Sequence, residues 1–173
     1  MIPNAVPIPT DEIFALFRRV AGKVQWPKLK YVAPNGRDKI VFYVAGNKSK
    51  YKGDIMITDG KSYGQNKYYG RIAQSSGPNN TPMLFLARDA RNEPDMDRTI
   101  TEIVHNPTAY AKMQGIKYSY CCFCGTLIRN KNSLAVGYGP ICADNYGLPW
   151  EGEGAAKARR EELEQQSIDK GNM

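Results

Sequence analysis

The stretch Cys121-Cys122-Phe123-Cys124-Gly125, together with Gly139-Pro140-Ile141-Cys142, contains all four cysteines of the chain and decides how its C-terminal part folds. Cys121 and Cys124 form a C-x-x-C pair, and the glycine after them allows the tight turn that aims both sulfurs at one centre. Pro140 suits the first turn of a helix, where the helix dipole would favour a Cys142 thiolate. A knuckle, a hairpin and a ligand-bearing helix predict a treble-clef-like zinc module.

Clustered cysteines also occur as disulfides, redox pairs and core residues. Disulfides require an oxidising compartment, and the first four residues are not followed by an apolar signal segment, so we expect a reducing cytoplasm. A redox C-x-x-C is expected within a βαβ pattern, which the sequence lacks. Zinc is the favoured interpretation, with redox chemistry and core packing as the alternatives.

The spacing predicts Cys121, Cys124 and Cys142 as ligands of Zn²⁺ and leaves the fourth ligand open. Cys122 is the most direct candidate, although the side chains of adjacent cysteines diverge. Asp144 follows as a C-x-D pattern, and His105, the only histidine, lies 16 residues before the knuckle. A thiolate-rich site closed by four ligands leaves no position for water, so we expect a structural zinc.

Longer patterns surround these cysteines. They are Cys121-x-x-Cys124-Gly125-x-Leu127, Ser133-x-x-x-Gly137-x-Gly139-Pro140-x-Cys142, Tyr146-Gly147-Leu148-Pro149-Trp150, and upstream Ala45-Gly46-x-x-Ser49-Lys50-Tyr51-x-Gly53 and Tyr69-Gly70-Arg71-Ile72. Together they resemble an uncharacterised domain family carried widely by tailed bacteriophages, over residues 39–150. Thr126 stands where this pattern usually has arginine. The resemblance implies a phage origin, the cytoplasm of an infected bacterium and a zinc-binding motif, but no established reaction.

Positive charge is concentrated in one third of the chain. Residues 23–74 contain eleven Lys and Arg against three Asp, whereas the whole chain has a net charge of +7. Eight aromatic residues are interleaved with them. Such a segment can neutralise phosphates and offer flat faces to bases, which favours nucleic-acid binding without sequence preference.

The residues expected to contact nucleic acid lie in two groups within this segment. They are Lys48, Lys50, Tyr51 and Lys52 in a predicted loop, and Lys67, Tyr69 and Arg71 in a predicted strand. The alternative function is that of a phage inhibitor, which would use its basic surface to bind and disable a host defence or nucleic-acid enzyme. No apolar run is long enough to cross a bilayer, so we expect no membrane partner. The oligomeric state is left open.

The predicted fold class is α+β: an N-terminal helix, a small antiparallel sheet, a helical link and the C-terminal treble-clef-like zinc module. Strands are expected at 29–33, 39–45, 54–58, 67–74 and 83–87. Helices are expected between a Thr10 cap and Gly22, at 96–105 and at 107–113, the last stopped by Gly115. The predicted divisions are 1–116 for a basic α+β domain, 117–150 for the zinc module and 151–173 for a charged tail, helical or disordered.

Catalytic motifs are scarce. Asp59-Gly60-Lys61 fits half of a metal-dependent nuclease site, and Asp38 or Asp54 would serve as its second carboxylate. The same Asp-Gly pair reads equally well as a hairpin turn. A single histidine and the absence of a phosphate-binding glycine loop or nucleophile elbow offer no other chemistry. We therefore expect a non-enzymatic protein, with the nuclease as a remote alternative.

Overall fold

The computed structural model of the chain describes residues 5–74, 78–150 and 164–169. Six strands are present: β1 Ala5–Pro7, β2 Leu29–Val32, β3 Lys39–Val44, β4 Ile55–Thr58, β5 Tyr68–Ala73 and β6 Met83–Leu86. The main helices are α1 Glu12–Val20, α2 Arg88–Asn92, α3 Met96–His105, α4 Pro107–Tyr118, α5 Lys131–Val136 and α6 Pro140–Tyr146. The predicted α+β fold class is confirmed.

All six strands belong to one antiparallel sheet with the order β1-β6-β5-β4-β3-β2. Strands β2 to β6 follow the predicted meander, in which each strand pairs with the next along the chain. Strand β1 was not predicted because its three residues are too short for an alternating pattern. It pairs with β6 and extends the sheet by one edge strand.

The two faces of the sheet differ in composition. Alternate strand residues on one face, such as Tyr31, Phe42 and Ile57, belong to the hydrophobic core. We call the opposite side the outer face. The strand register pairs the residues of this face with one another from β2 to β6. They are Lys30, Val41, Tyr43, Met56, Thr58, Tyr68, Arg71 and Phe85. The outer face therefore combines rings and cations, whereas the inner face is apolar.

A β-bulge in β5 changes this alternation. Thr58 pairs with Tyr68 but Ile57 pairs with Gly70, so two residues of β5 oppose one step of β4. Tyr69 is the extra residue, and it is completely buried in the core. Simple alternation would put Tyr69 beside Arg71 on the outer face, and the bulge is the reason that it lies inside.

The helices pack on the inner face and form one core with the sheet. The predicted apolar stripe of α1, which contains Ile13, Leu16, Phe17 and Val20, is buried. Helix α3 has the predicted bounds and also buries its apolar side. The same hydrophobic cluster contains Cys121, Cys142 and Tyr146. The segment with the cysteines thus shares one hydrophobic core with the sheet. Helix α4, which ends at Tyr118, spans residue 117, where the sequence analysis placed the start of the zinc module.

Two predicted local features are corrected, and one helix was not predicted. Helix α4 does not stop at Gly115 but continues to Tyr118, because Gly115 serves a close helix contact rather than a turn. The expected hairpin between the knuckle and the last helix is replaced by α5, which Asn130 caps by accepting from the N–H groups of Asn132 and Ser133. Helix α2 was not predicted, since its five residues show no periodicity.

Of the predicted charged tail, the structure describes residues 164–169, which are helical. The rest of that prediction lies outside the described residues. Among the helices that the structure describes, none combines the length and apolar character needed to cross a membrane.

Candidate metal centre and basic surface

The knuckle is built by backbone hydrogen bonds around a glycine. The Gly125 N–H donates to the Cys121 carbonyl at 2.8 Å, and the Cys121 N–H donates to the Thr126 carbonyl at 3.0 Å. Gly125 has a φ of 74°, which favours glycine because a side chain is strained in that region. A bridge between Tyr120 and Leu127 closes the turn. This loop presents Cys121 and Cys124 from one side.

Helix α6 supplies the third thiol from the other side. Pro140 is its first residue, as predicted, and Cys142 is its third. The sulfur atoms of Cys121, Cys124 and Cys142 all lie within 4.8 Å of one another. In a tetrahedral zinc site, Zn–S bonds of about 2.3 Å place the sulfurs roughly 3.8 Å apart. The three thiols are therefore close enough to hold a metal ion, and their soft sulfur atoms fit zinc.

The sulfurs already interact as a hydrogen-bonded group. Bonds from the Cys121 and Cys142 thiols lower the pKa of Cys124 strongly, because they stabilise its thiolate. The pKa of Cys142 is raised in turn, since its proton is held in bonds to Cys121 and Cys124. Cys121 and Cys142 are buried and Cys124 is exposed. One thiolate thus forms readily, and a bound cation would favour the other two.

The candidates for the fourth ligand do not join this group. Cys122 is buried, and its carbonyl accepts the Lys30 N–H at 2.8 Å at the edge of β2. His105 is exposed at the end of α3, where its Nδ1 lies 2.7 Å from the Thr101 carbonyl oxygen. Asp144 is exposed one turn into α6. In the described part of the chain, the group of mutually close ligand atoms contains only the three cysteines.

Aromatic rings to which the sequence patterns assigned no role pack beside the thiols. Phe123 lies between Tyr138 and Tyr146, with ring centroids 5.8 and 4.3 Å apart. The Tyr138 hydroxyl donates to the Pro149 carbonyl at 2.7 Å, and the Trp150 indole N–H donates to Ser133 at 3.2 Å. For Tyr146 and Trp150, their presence in the Tyr146–Trp150 pattern was the available signal. They anchor α5 and α6 around the cysteines.

The predicted nucleic-acid residues of the loop lie together. We call residues 46–53 the basic loop. Its turns are closed by bonds such as Ser49 N–H to the Gly46 carbonyl at 3.0 Å. Lys48, Lys50 and Lys52 are exposed, and Tyr51 is half-buried. The loop therefore presents three ammonium groups to solvent around one ring.

Arg71 joins the basic loop to the outer face. Its guanidinium carbon lies 4.3 Å from the Tyr51 ring centroid and 4.6 Å from that of Phe85. It also donates to Asp54 at 2.8 Å. Its side chain is only 22% exposed. Arg71 is thus a support for the Tyr51 ring more than a free phosphate ligand.

The other two predicted contact residues differ from each other. Lys67 is exposed and its ammonium group lies 3.3 Å from a Glu93 carboxylate oxygen. The prediction that the Tyr69 ring stacks on a base is wrong, because the bulge in β5 buries this ring completely.

The residues of the nuclease hypothesis are held in structural contacts. Asp59 is buried and accepts the Lys61 N–H at 3.1 Å, which forms the alternative turn with Gly60 at a φ of 80°. Asp54 pairs with Arg71 at the opposite end of β4. Asp38 accepts from the Asn35 side chain at 2.7 Å. These contacts favour the turn interpretation.

Comparisons with known proteins concern the segment with the cysteines. Residues 112–147 match a family of unknown function, DUF6011. The matched residues run from the second half of α4 through the knuckle and α5 to the residue after α6. Comparisons with curated proteins and with solved structures gave no match. The family match thus coincides with the three-thiol group and does not extend to the basic sheet.

Proposed function

We propose that the protein is a non-enzymatic zinc protein that binds nucleic acid, with little sequence preference, through the basic loop and the outer face of its sheet. The observation that carries this proposal is the juxtaposition of the exposed lysines of the basic loop with the Tyr51 ring, which Arg71 supports from the outer face. Phosphate contacts require cations, and sequence-tolerant base contacts require flat rings. Both occur on one surface.

The zinc has a structural role in this proposal. Cys121 and Cys142 are buried in the core cluster, and the rings of Phe123 and Tyr146 pack next to them. Structural zinc contributes on the order of 10 kcal/mol to the folding of small zinc modules. The metal would fix α6 against the knuckle and thereby support the edge strand β2, which the Cys122 carbonyl contacts through Lys30. The metal would not touch the nucleic acid.

The basic loop supplies the electrostatic part. Three lysines within five residues repel one another, so an anionic partner relieves that repulsion as well as attracting each charge. In the described part of the chain, Lys48 and Lys52 have no carboxylate partner. Their ammonium groups are therefore available to phosphates. The resemblance to a bacteriophage family supports the cytoplasm of an infected bacterium as the place where this binding occurs.

A titration of fluorescein-labelled oligonucleotides, followed by fluorescence anisotropy at several salt concentrations, tests the proposal. The substitutions Lys48→Ala, Lys50→Ala and Lys52→Ala combined should weaken binding and flatten its salt dependence. Each lost phosphate contact lowers the slope by about 0.7 for single strands or 0.9 for duplexes. The triple variant should therefore lose about 2 units of slope with single strands and about 3 with duplexes.

A second triple variant controls for net charge. Lys112→Ala, Lys117→Ala and Lys131→Ala remove three exposed lysines from α4 and α5, away from the basic loop. This variant should keep most of the salt slope. Equal loss in both triple variants would mean that only overall charge matters. Non-specific association has dissociation constants of up to about 100 μM. If the wild type shows no salt-dependent binding with a Kd below about 100 μM, the proposal is contradicted and a host protein is favoured as the partner.

A further inference from the structure

A cavity of about 140 Å³ lies on the outer face beside β3 and β4. Its walls include Lys28, Tyr43, Thr58, Lys61, Tyr63 and Asn66. Ligand pockets for whole drug-sized molecules start at about 300 Å³. This cavity is therefore large enough for one flat ring and too small for an entire cofactor. We propose that it holds a single unpaired nucleobase, so that the nucleic acid bound by the outer face is single-stranded. This inference rests on the proposed function and narrows it.

Two tyrosines of the cavity suit a flat ligand. Tyr43 is half-buried on β3, and Tyr63 is 100% exposed in the loop between β4 and β5. An aromatic ring left entirely in water gains a large apolar contact when a partner covers it. Val41, which is 3% exposed, also lines the cavity. The two rings and the Val41 side chain form an apolar site to which a base can bind by its face.

Charged and amide groups at the rim suit the rest of a nucleotide. Lys28 and Lys61 both line the cavity and are exposed. The Lys61 ammonium group approaches Asp59 only to 3.9 Å, so its charge is not fully engaged. The Asn66 amide makes no side-chain hydrogen bond to the part of the chain that the structure describes. It offers a donor and an acceptor, which the edge of any base can use.

The outer face leads from the cavity to the basic loop. Tyr43 pairs with Met56, which pairs with Arg71, so two strand spacings of about 4.8 Å separate the first from the last. Tyr68, 37% exposed, lies on the same face. A single-stranded nucleic acid with one base in the cavity can therefore pass over these rings to Tyr51 and the lysines of the basic loop. Its phosphates would meet cations at both ends.

The need for access to base faces selects single strands. In a duplex the faces of the bases are stacked on one another, and only unpaired bases can enter a cavity between tyrosines. A duplex can meet the lysines through its phosphates but leaves the cavity empty. A contribution of the cavity to the binding free energy is therefore expected for single strands and not for duplexes.

Three probes of 15 nucleotides isolate this contribution: oligothymidylate, an abasic strand with the same phosphates, and a blunt duplex. Anisotropy titrations at equal salt should show oligothymidylate binding at least 5-fold tighter than either other probe, since stacking one base is worth about 5- to 150-fold. Tyr63→Ala should remove most of this preference without changing the salt slope, because stacking releases no counterions. Tyr63→Phe, which keeps the ring, should bind like the wild type.

The outcomes separate the two proposals. Equal affinity for all three probes, or a Tyr63→Ala variant with an unchanged preference for oligothymidylate, overturns the cavity as a base site and leaves electrostatic binding intact. Lack of binding to every probe overturns the proposed function as well. Because Tyr63 is fully exposed, circular dichroism of Tyr63→Ala should match the wild type, and a change in affinity then reports the contact itself.

Discussion

Gly115 of α4 lies directly against Gly137, the residue that ends α5. A Cβ atom added to Gly115 would overlap the Cα of Gly137, and one added to Gly137 would overlap the backbone of Lys112. Two backbones therefore touch at this point with no side chain between them. The contact holds α4, which precedes the knuckle, against the end of α5, which precedes α6 and Cys142. It therefore determines how the knuckle and α6 are positioned.

Gly115→Ala should destabilise the protein by about 1–3 kcal/mol, the usual cost of overpacking a close contact. Because the displaced backbone precedes α6, zinc affinity should fall in the same variant. Thermal unfolding followed by circular dichroism and a competition titration with a zinc chelator measure the two effects. Gly46→Ala is the matched control, since a Cβ there meets nothing within 4 Å. Equal stability of both variants would contradict the close contact.

Zinc binding should depend on three cysteines and not on the fourth. Protein purified without added metal should contain about one equivalent of zinc. Cys121→Ser, Cys124→Ser and Cys142→Ser should each lose it, because each removes a sulfur from the group within 4.8 Å. Metal analysis and the absorption of the cobalt-substituted protein measure the outcome. Chelation of the wild type should unfold the knuckle and α6.

Cys122→Ser is the matched control for these variants. It makes the same chemical change at the neighbouring residue, which is buried but lies outside the three-thiol group. We expect it to keep its zinc and to lose only some stability, because a hydroxyl replaces a buried thiol. Loss of zinc in Cys122→Ser would restore Cys122 as the fourth ligand.

Much of the sheet and two helices followed from the sequence because their signals are local. Alternating apolar residues in β3 and the 3.6-residue spacing in α1 and α3 gave bounds within one or two residues of those observed. The positions of Cys121, Cys124 and Cys142 likewise followed from spacing, since a knuckle and a helix start bring such residues to one point.

The features that the sequence did not reveal depend on contacts between distant segments. Gly115 was expected to stop a helix, but only its contact with Gly137 shows why glycine is required there. Tyr69 was expected on the surface, and the bulge that turns it inward arises from the pairing of β4 with β5. The hydrogen bond from the Lys30 N–H to the Cys122 carbonyl likewise joins two segments that are far apart in the chain, and no local pattern indicates it.

Arg71→Lys should lower the free energy of unfolding by about 1 kcal/mol although it keeps the charge. Lysine lacks the planar group that stacks between Tyr51 and Phe85, and each such contact is worth about 0.5–1 kcal/mol. Urea unfolding measures the change. Arg98→Lys makes the same substitution at a 67% exposed site and should change stability by less than about 0.5 kcal/mol. A larger loss at Arg98 would contradict the role given to Arg71.

Replacement of the tyrosine by phenylalanine should lower the stability of the protein at Tyr31 but not at Tyr69. Both rings are completely buried. The Tyr31 hydroxyl donates to the Pro107 carbonyl at 2.9 Å, whereas the Tyr69 hydroxyl has no partner among the described residues. Burial, followed by the nearby Glu93 carboxylate, raises the pKa of Tyr69, so its hydroxyl stays protonated and its donor stays unused.

A lost hydrogen bond costs about 0.5–1.5 kcal/mol, and an unsatisfied buried group costs about 1–3 kcal/mol. Tyr31→Phe should therefore destabilise the protein by about 1 kcal/mol, because it removes the buried hydrogen bond to the Pro107 carbonyl. Tyr69→Phe removes a group with no partner and should leave stability unchanged or raise it by about 1 kcal/mol. Urea unfolding of the two variants at neutral pH gives the comparison. A Tyr69→Phe variant as unstable as Tyr31→Phe would mean that the Tyr69 hydroxyl binds an internal water next to Glu93.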